Sequence, residues 1–188
     1  MKQLEYKEAR KLMKPGDVIA FGGEGFLSSV IQDVTDSPVS HVGIIMQTEV
    51  SGDTFVNHII ESGGKRKGMV GVEISRMSER VEEYDGSIWW LPMFINFDRK
   101  KFVGFCLNQV GKKYDLPQAI GSALDTFQDQ EEDISKLFCS ELVAAALEHV
   151  GILININASE MTPADVVGFD IYKAPVQIKG ELTEIYKK

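Results

Sequence analysis

Two apolar runs, His41 to Gln47 and Phe55 to Glu61, flank the turn-forming residues Ser51-Gly52-Asp53. Apolar, β-branched segments on either side of a glycine-containing turn read as a β-hairpin. This hairpin constrains the fold more than any other stretch, because a two-stranded ribbon with apolar faces must join a larger sheet and be covered.

The rest of the chain supplies both. Asp17 to Phe21, Val70 to Ile74, Ile88 to Leu91 and Ile171 to Ile178 read as further strands. Leu4 to Met13 reads as a short helix stopped by Pro15-Gly16, Phe26 to Val34 as a second, and the polar segment Ser75 to Glu83 as a third. Asp98 to Val110 is an amphipathic helix ending at Gly111, and Leu116 to Phe127 is another, followed by an acidic connector from Gln128 to Asp133. Thr162-Pro163-Ala164-Asp165 has the pattern of an N-capped turn with proline at the first helical position. Strands clustered in the middle with helices on both sides imply an α+β fold with a central antiparallel sheet.

With 188 residues, 44% of them hydrophobic, the chain suffices for one core, so a single domain over 1–188 is expected. A formal charge of −8 argues against nucleic acid or an anionic membrane as partner. No apolar run follows Lys2, and no stretch is long enough to cross a bilayer. The expectation is a cytoplasmic protein, or a periplasmic or secreted one if a leader is removed. Oligomeric state is not legible. Cys106 and Cys139 are too few for a disulfide scaffold, or for a structural zinc site without histidine. Gly22-Gly23-Glu24-Gly25 lacks the Gly-Lys-Ser/Thr of a phosphate loop, and the acidic connector lacks calcium-loop spacing. No cofactor or metal is expected.

Cys139 is where chemistry concentrates. Leu142 to Val150 is rich in alanine and leucine and ends at Gly151, which reads as a helix with a glycine stop. Cys139 falls at its first turn, where backbone N–H groups and the helix dipole stabilise a thiolate. Position alone leaves open a second reading, a small buried hydrophobe. Cys106, among Phe102, Val103 and Phe105, reads as inert core. Trp89-Trp90 places one ring on each face of a strand, one in the core and one toward a cleft.

A cysteine nucleophile needs a base, and the base needs an orienting group. The histidines are His41, His58 and His149. His149 lies at the far end of the cysteine helix, roughly 15 Å along its axis. His41 and His58 share the hairpin. A turn centred on Ser51 sets His41 opposite Glu61 and His58 opposite Ile44, so His41 and Glu61 share one face, expected to be that of the cysteine helix, and His58 the other. Glu61 can then hold one ring nitrogen of His41 and leave the other for Cys139. A half-buried histidine and a strand-end carboxylate with no catalytic role remain the alternative.

Lys14-Pro15-Gly16-Asp17-Val18-Ile19, Ser40-His41-Val42-Gly43-Ile44, Ile60-Glu61-Ser62, Tyr114-Asp115 and Phe138-Cys139-Ser140-Glu141-Leu142-Val143 occur in that order. From about Lys14 to about Val167 the chain resembles the permuted papain-like cysteine amidases and peptidases of the NlpC superfamily, in particular the YiiX/YaeF-like branch with its poxvirus relatives. The resemblance implies a circularly permuted papain-like fold, with Cys139 as nucleophile, His41 as base and Glu61 as orienting residue. It implies hydrolysis of an amide in a small peptide-like or acylated substrate, cell-wall peptides and acylated amino acids included. Tyr114 and Ser140 are candidate oxyanion or substrate contacts; a tyrosine packing its ring is the plain alternative for the first. Lecithin retinol acyltransferase-type lipid acyltransferases or thioesterases share the permuted order, but their Asn-Cys-Glu-His motif is absent. A non-catalytic binding module on the same fold is a further alternative.

Overall fold

The structure is a computed structural model that describes residues 1–23, 26–66, 69–112 and 139–186. In chain order the elements are β1 (Lys2–Gln3), α1 (Tyr6–Ala9), β2 (Val18–Gly23), α2 (Phe26–Thr35), β3 (His41–Ser51), β4 (Thr54–Arg66), β5 (Met69–Arg76), α3 (Met77–Glu83), β6 (Gly86–Leu91), α4 (Arg99–Gln109), α5 (Cys139–His149), a 3-10 turn (Ala158–Glu160), α6 (Pro163–Val167) and β7 (Val176–Lys179). The strands form one sheet in the order β1-β7-β6-β2-β3-β4-β5. All pairings are antiparallel except that of β1 with β7. The architecture is the expected α+β arrangement of a central sheet with flanking helices.

β2 lies near the centre, and Val18 to Phe21 are all inaccessible to solvent. A strand buried on both faces reads as a continuous apolar run, as this one does. Alternation splits it. Val18 and Ala20 join Val42, Ile44, Ile60, Phe102, Leu142, Val143, Ala146 and Leu147 in one core. Ile19 and Phe21 join Ile45, Ile59, Met77 and Ala9 in the other. Thus α4 and α5 cover one face of the sheet, and α1 and α3 the other. Trp89 and Trp90 point to opposite faces as expected, yet both rings are core: Trp89 Nε1 donates to the Thr183 carbonyl at 3.0 Å and Trp90 Nε1 to Asp17 Oδ2 at 2.8 Å.

Local signals place the helix ends. Asp98 caps α4, accepting from the N–H groups of Lys100 and Lys101. Thr162 and Asp165 form a capping box on α6, with Pro163 at its first position. Gly151, at φ 77°, ends α5 in the left-handed region. Three expectations are corrected. The helix expected over Leu4 to Met13 is confined to Tyr6–Ala9, because Lys11 and Leu12 donate three residues back, to Glu8 and Ala9, in tight turns before Pro15. The strand expected over Ile171 to Ile178 is only Val176–Lys179, since Pro175 offers no N–H and Tyr172 makes an isolated bridge to Met93. Gly22 and Gly23, expected in a loop, extend β2 and pair with Ser87 and Gly86. The expected helix Leu116 to Phe127, the connector Gln128 to Asp133 and Tyr114 lie outside the described residues.

Candidate active site

Cys139 is the first described residue of α5 and has no solvent exposure. Leu142, Val143, Ala146 and Leu147, spaced as one helical face, pack α5 on the sheet and fix where its N-terminus points. That end meets the start of β3. The β3–β4 pairing ends at Ile44↔Ile60, and beyond it the Val42 N–H donates to Cys139 Sγ at 3.4 Å. The sulfur thus rests at the first described turn of α5 and accepts from a strand amide.

His41, on the neighbouring position of β3, is buried. Its Nε2 lies 2.8 Å from Glu61 Oε2. With that nitrogen donating to the carboxylate, Nδ1 is the one left for the sulfur. Nδ1 is buried, and the ring interacts with Cys139 as well as with Glu61. The expected pairing is corrected in detail. The turn centres on Gly52-Asp53, with Ser51 opposite Thr54, and an irregularity between Ile45 and Gln47 shifts the register again. His58 consequently sits opposite Gln47 rather than Ile44. Extending the Ile44↔Ile60 register places Glu61 level with Gly43, one diagonal step from His41. A shift of two residues preserves parity, so His41 and Glu61 still share a face. A Cβ on Gly43 would come 3.2 Å from Glu61 Cβ and 2.7 Å from Ile59 Cδ1, so glycine here makes room for the carboxylate.

That shared face is not the one expected. His41 pairs with Phe21 and Glu61 follows Ile60, so alternation sends both side chains to the face covered by α3, whereas α5 covers the opposite one. Cysteine and histidine meet where β3 begins, not across its α5 face.

The α3 face supplies residues that the sequence did not single out. Arg80 Nη2 donates to Glu61 Oε2 at 3.0 Å, and Arg80 Nε lies 2.5 Å from Glu61 Oε1. Ser75 donates to Oε1 at 3.3 Å. The Arg80 guanidinium carbon lies 5.0 Å from the Phe21 ring centroid and 5.6 Å from that of Tyr84, and Phe21 packs tilted against the His41 ring at 5.3 Å. Nothing in the polar pattern of Ser75 to Glu83 separates Arg80 from its charged neighbours. Its role follows from tertiary placement.

The electrostatics follow from burial and partners. Burial alone would push the His41 imidazole down. The charge of Cys139 and a hydrogen bond to it, then the bond and charge of Glu61, outweigh burial and push His41 up to about 9. Burial pushes the Glu61 carboxyl up, but the hydrogen bond from His41 and the charge of Arg80 outweigh it and bring Glu61 down to about 2. At neutral pH an imidazolium at His41 thus stands between the Cys139 sulfur and the Glu61 carboxylate, with the Arg80 guanidinium behind the carboxylate.

The other candidates separate from this line. The Ser140 hydroxyl donates to the Met161 carbonyl, so its hydrogen anchors α5 to the turn before α6 rather than facing a substrate. His58 lies toward the hairpin turn with Nε2 3.2 Å from Glu49 Oε1, and His149 stacks on Phe105 at 4.7 Å. Cys106 is core on α4, and burial pushes its thiol up to about 12. No helix among the described residues is long and apolar enough to cross a membrane.

No protein-family model matches the chain, and no curated protein matches its sequence. Its fold is similar to that of a solved structure from Escherichia coli O157:H7, described as the metalloprotein YiiX (DUF1105), at a TM-score of 0.50 and 17% identity, over 74% of this chain and 67% of that one. Among the described residues, no group of three or more His, Cys, Asp and Glu is placed to hold a metal ion. Both Glu61 oxygens already contact Arg80, so the site as built does not fit a further cation. What the likeness shows is the architecture: an α+β, YiiX-like version of the permuted papain-like fold.

Proposed function

We propose that the chain is a cysteine hydrolase that cleaves amide bonds through an acyl-enzyme on Cys139. The observation that carries the reading is the buried line from Cys139 through His41 to Glu61. Cys139 Sγ attacks the substrate carbonyl, and the helix-terminal N–H of Cys139 takes the developing oxyanion. His41 gives its Nδ1 proton to the departing amine, then removes one from the water that releases the acyl group. Glu61 holds Nε2 throughout and fixes the ring. The substrate class is a small peptide-like or acyl-amino-acid amide, cell-wall peptide fragments included.

The test is a panel of peptide amides, acylated amino acids and lipid esters, incubated with the protein and read by intact mass and by mapping of the modified residue. An acyl adduct on Cys139 from an amide, lost in Cys139→Ala, is expected. Adducts from lipid esters alone would move the reading to a lipid acyltransferase, and turnover surviving in Cys139→Ala would end it. With iodoacetamide at neutral pH, Cys139 is expected to alkylate before Cys106, whose thiol burial keeps neutral. Native-state mapping that finds Cys106 modified first would remove Cys139 as nucleophile.

A further inference from the structure

We propose that Arg80 is a positioning residue of this reaction: it pins Glu61 as an ionised acceptor, so that His41 keeps both ring protons and presents one to Cys139. The proposal rests on the cysteine-hydrolase reading and extends the site by one residue.

The argument starts from what a buried histidine and carboxylate do alone. Water is excluded, both ions are penalised, and the pair lowers its energy by passing the proton from imidazolium to carboxylate, becoming neutral. A neutral pair orients a ring but offers the sulfur no cation. Arg80 closes that route. A guanidinium does not lose its proton in a protein, and it engages the carboxylate through two nitrogens, Nη2 at 3.0 Å from Oε2 and Nε at 2.5 Å from Oε1. Protonating Glu61 would leave that cation buried and unpaired. With Arg80 present, thiolate, imidazolium, carboxylate and guanidinium sum to zero; without it the site carries a net negative charge in a dry setting.

The surroundings fit a fixed charge rather than a loose ion pair. The Arg80 side chain is 10% exposed. Phe21 and Tyr84 pack on the guanidinium, and Phe21 also packs on His41, so one ring keeps water from both cations. Arg80 lies on α3, which follows β5 directly, and β5 carries Ser75, the other donor to Glu61. One connected segment thus grips both carboxylate oxygens from the side opposite α5.

The test needs no known substrate. The rate of Cys139 alkylation by iodoacetamide is measured against pH for wild type, Arg80→Gln, Arg80→Lys, His41→Ala, Glu61→Gln and the double variant Glu61→Gln/Arg80→Gln, each checked for folding by circular dichroism. In Arg80→Gln the acid limb of the profile is expected to move up by about one pH unit and the neutral-pH rate to fall about tenfold. Arg80→Lys should recover most of the loss. In the Glu61→Gln background the Arg80 change should add less than about twofold, since its partner is already gone. The double variant also removes both buried charges together, so it covers the case in which Arg80→Gln alone does not fold. An Arg80→Gln profile that superimposes on wild type, or effects that add in the double variant, overturn the role of Arg80 while the cysteine–histidine reading stands. An unchanged profile in His41→Ala overturns that reading itself.

Discussion

One hairpin carries two histidine–glutamate contacts. Where β3 begins, His41 meets Glu61 at 2.8 Å; toward the turn, His58 meets Glu49 at 3.2 Å. The side chains of the first pair are 4% and 2% exposed, those of the second 24% and 60%. Residue types and secondary structure match, and the environments do not. At the turn, water solvates the exposed Glu49 carboxylate, and such a contact is worth about 0–1 kcal/mol. At the buried end each charge needs a partner of its own, which brings in Arg80 behind Glu61 and Cys139 before His41. A histidine beside a carboxylate is therefore only a place to look for a base. The third and fourth groups around it decide.

Removing the buried histidine should break the symmetry of the two pairs most sharply. His41→Ala is expected to lower turnover of an amide substrate by about 10³-fold, within the usual range for a general acid–base group. Steady-state assay of the folded variant checks it. Activity within tenfold of wild type would leave the buried pair no more special than the exposed one.

Glu61→Gln should follow with a loss of about 10²-fold, smaller because the ring survives and only its orientation and charge partner go. Stability should fall with it, since Arg80 is left as a buried cation without its anion. The two losses part in Glu61→Gln/Arg80→Met, where the melting temperature should recover and turnover should not.

The pH dependence of stability sharpens the same contrast. His41 in the folded chain is raised from 6.5 to about 9, so its stabilising contribution is fully present below about pH 6.5 and is lost as pH rises through 9. Glu61 is lowered from 4.5 to about 2, so its contribution is present above about pH 4.5 and is lost as pH falls through 2. The gap in unfolding free energy between wild type and His41→Ala should narrow from pH 6.5 to 9, and that between wild type and Glu61→Gln from pH 4.5 downward. Urea titrations across pH measure both. A gap that widens in either window contradicts the assigned partners.

The contrast also explains what was legible in the sequence. Period and turn chemistry were enough for the hairpin, the Thr162-Pro163 cap of α6 and the glycine stop of α5, because these depend on neighbours a few residues away. Parity brought His41 and Glu61 to one face even though the pairing was off by two residues, since a strand repeats every two. The register itself depended on a turn placed at Gly52-Asp53 and an irregularity near Met46, and no local signal announces the latter. The face covered by α5 was a matter of packing. Arg80 was invisible for the same reason: on a polar helix, the one arginine that turns inward looks like those that do not.

The smallest effect belongs to the exposed pair, and it is the control for everything above. His58→Ala and Glu49→Gln each remove one partner of the 3.2 Å contact. Glu49 is 60% exposed, so losing its partner leaves a carboxylate that water solvates at once. No buried charge is stranded, and the net cost should stay within about 0.5–1 kcal/mol. Neither residue lies near Cys139: His58 sits opposite Gln47, beyond the irregularity that separates the turn end of the hairpin from the site. Turnover and Cys139 alkylation should therefore stay within about twofold of wild type in both variants, with melting shifted by only a few degrees. A His58→Ala protein that folds but loses turnover as His41→Ala does would reverse the assignment of the two histidines, and with it the distinction between the ends of the hairpin.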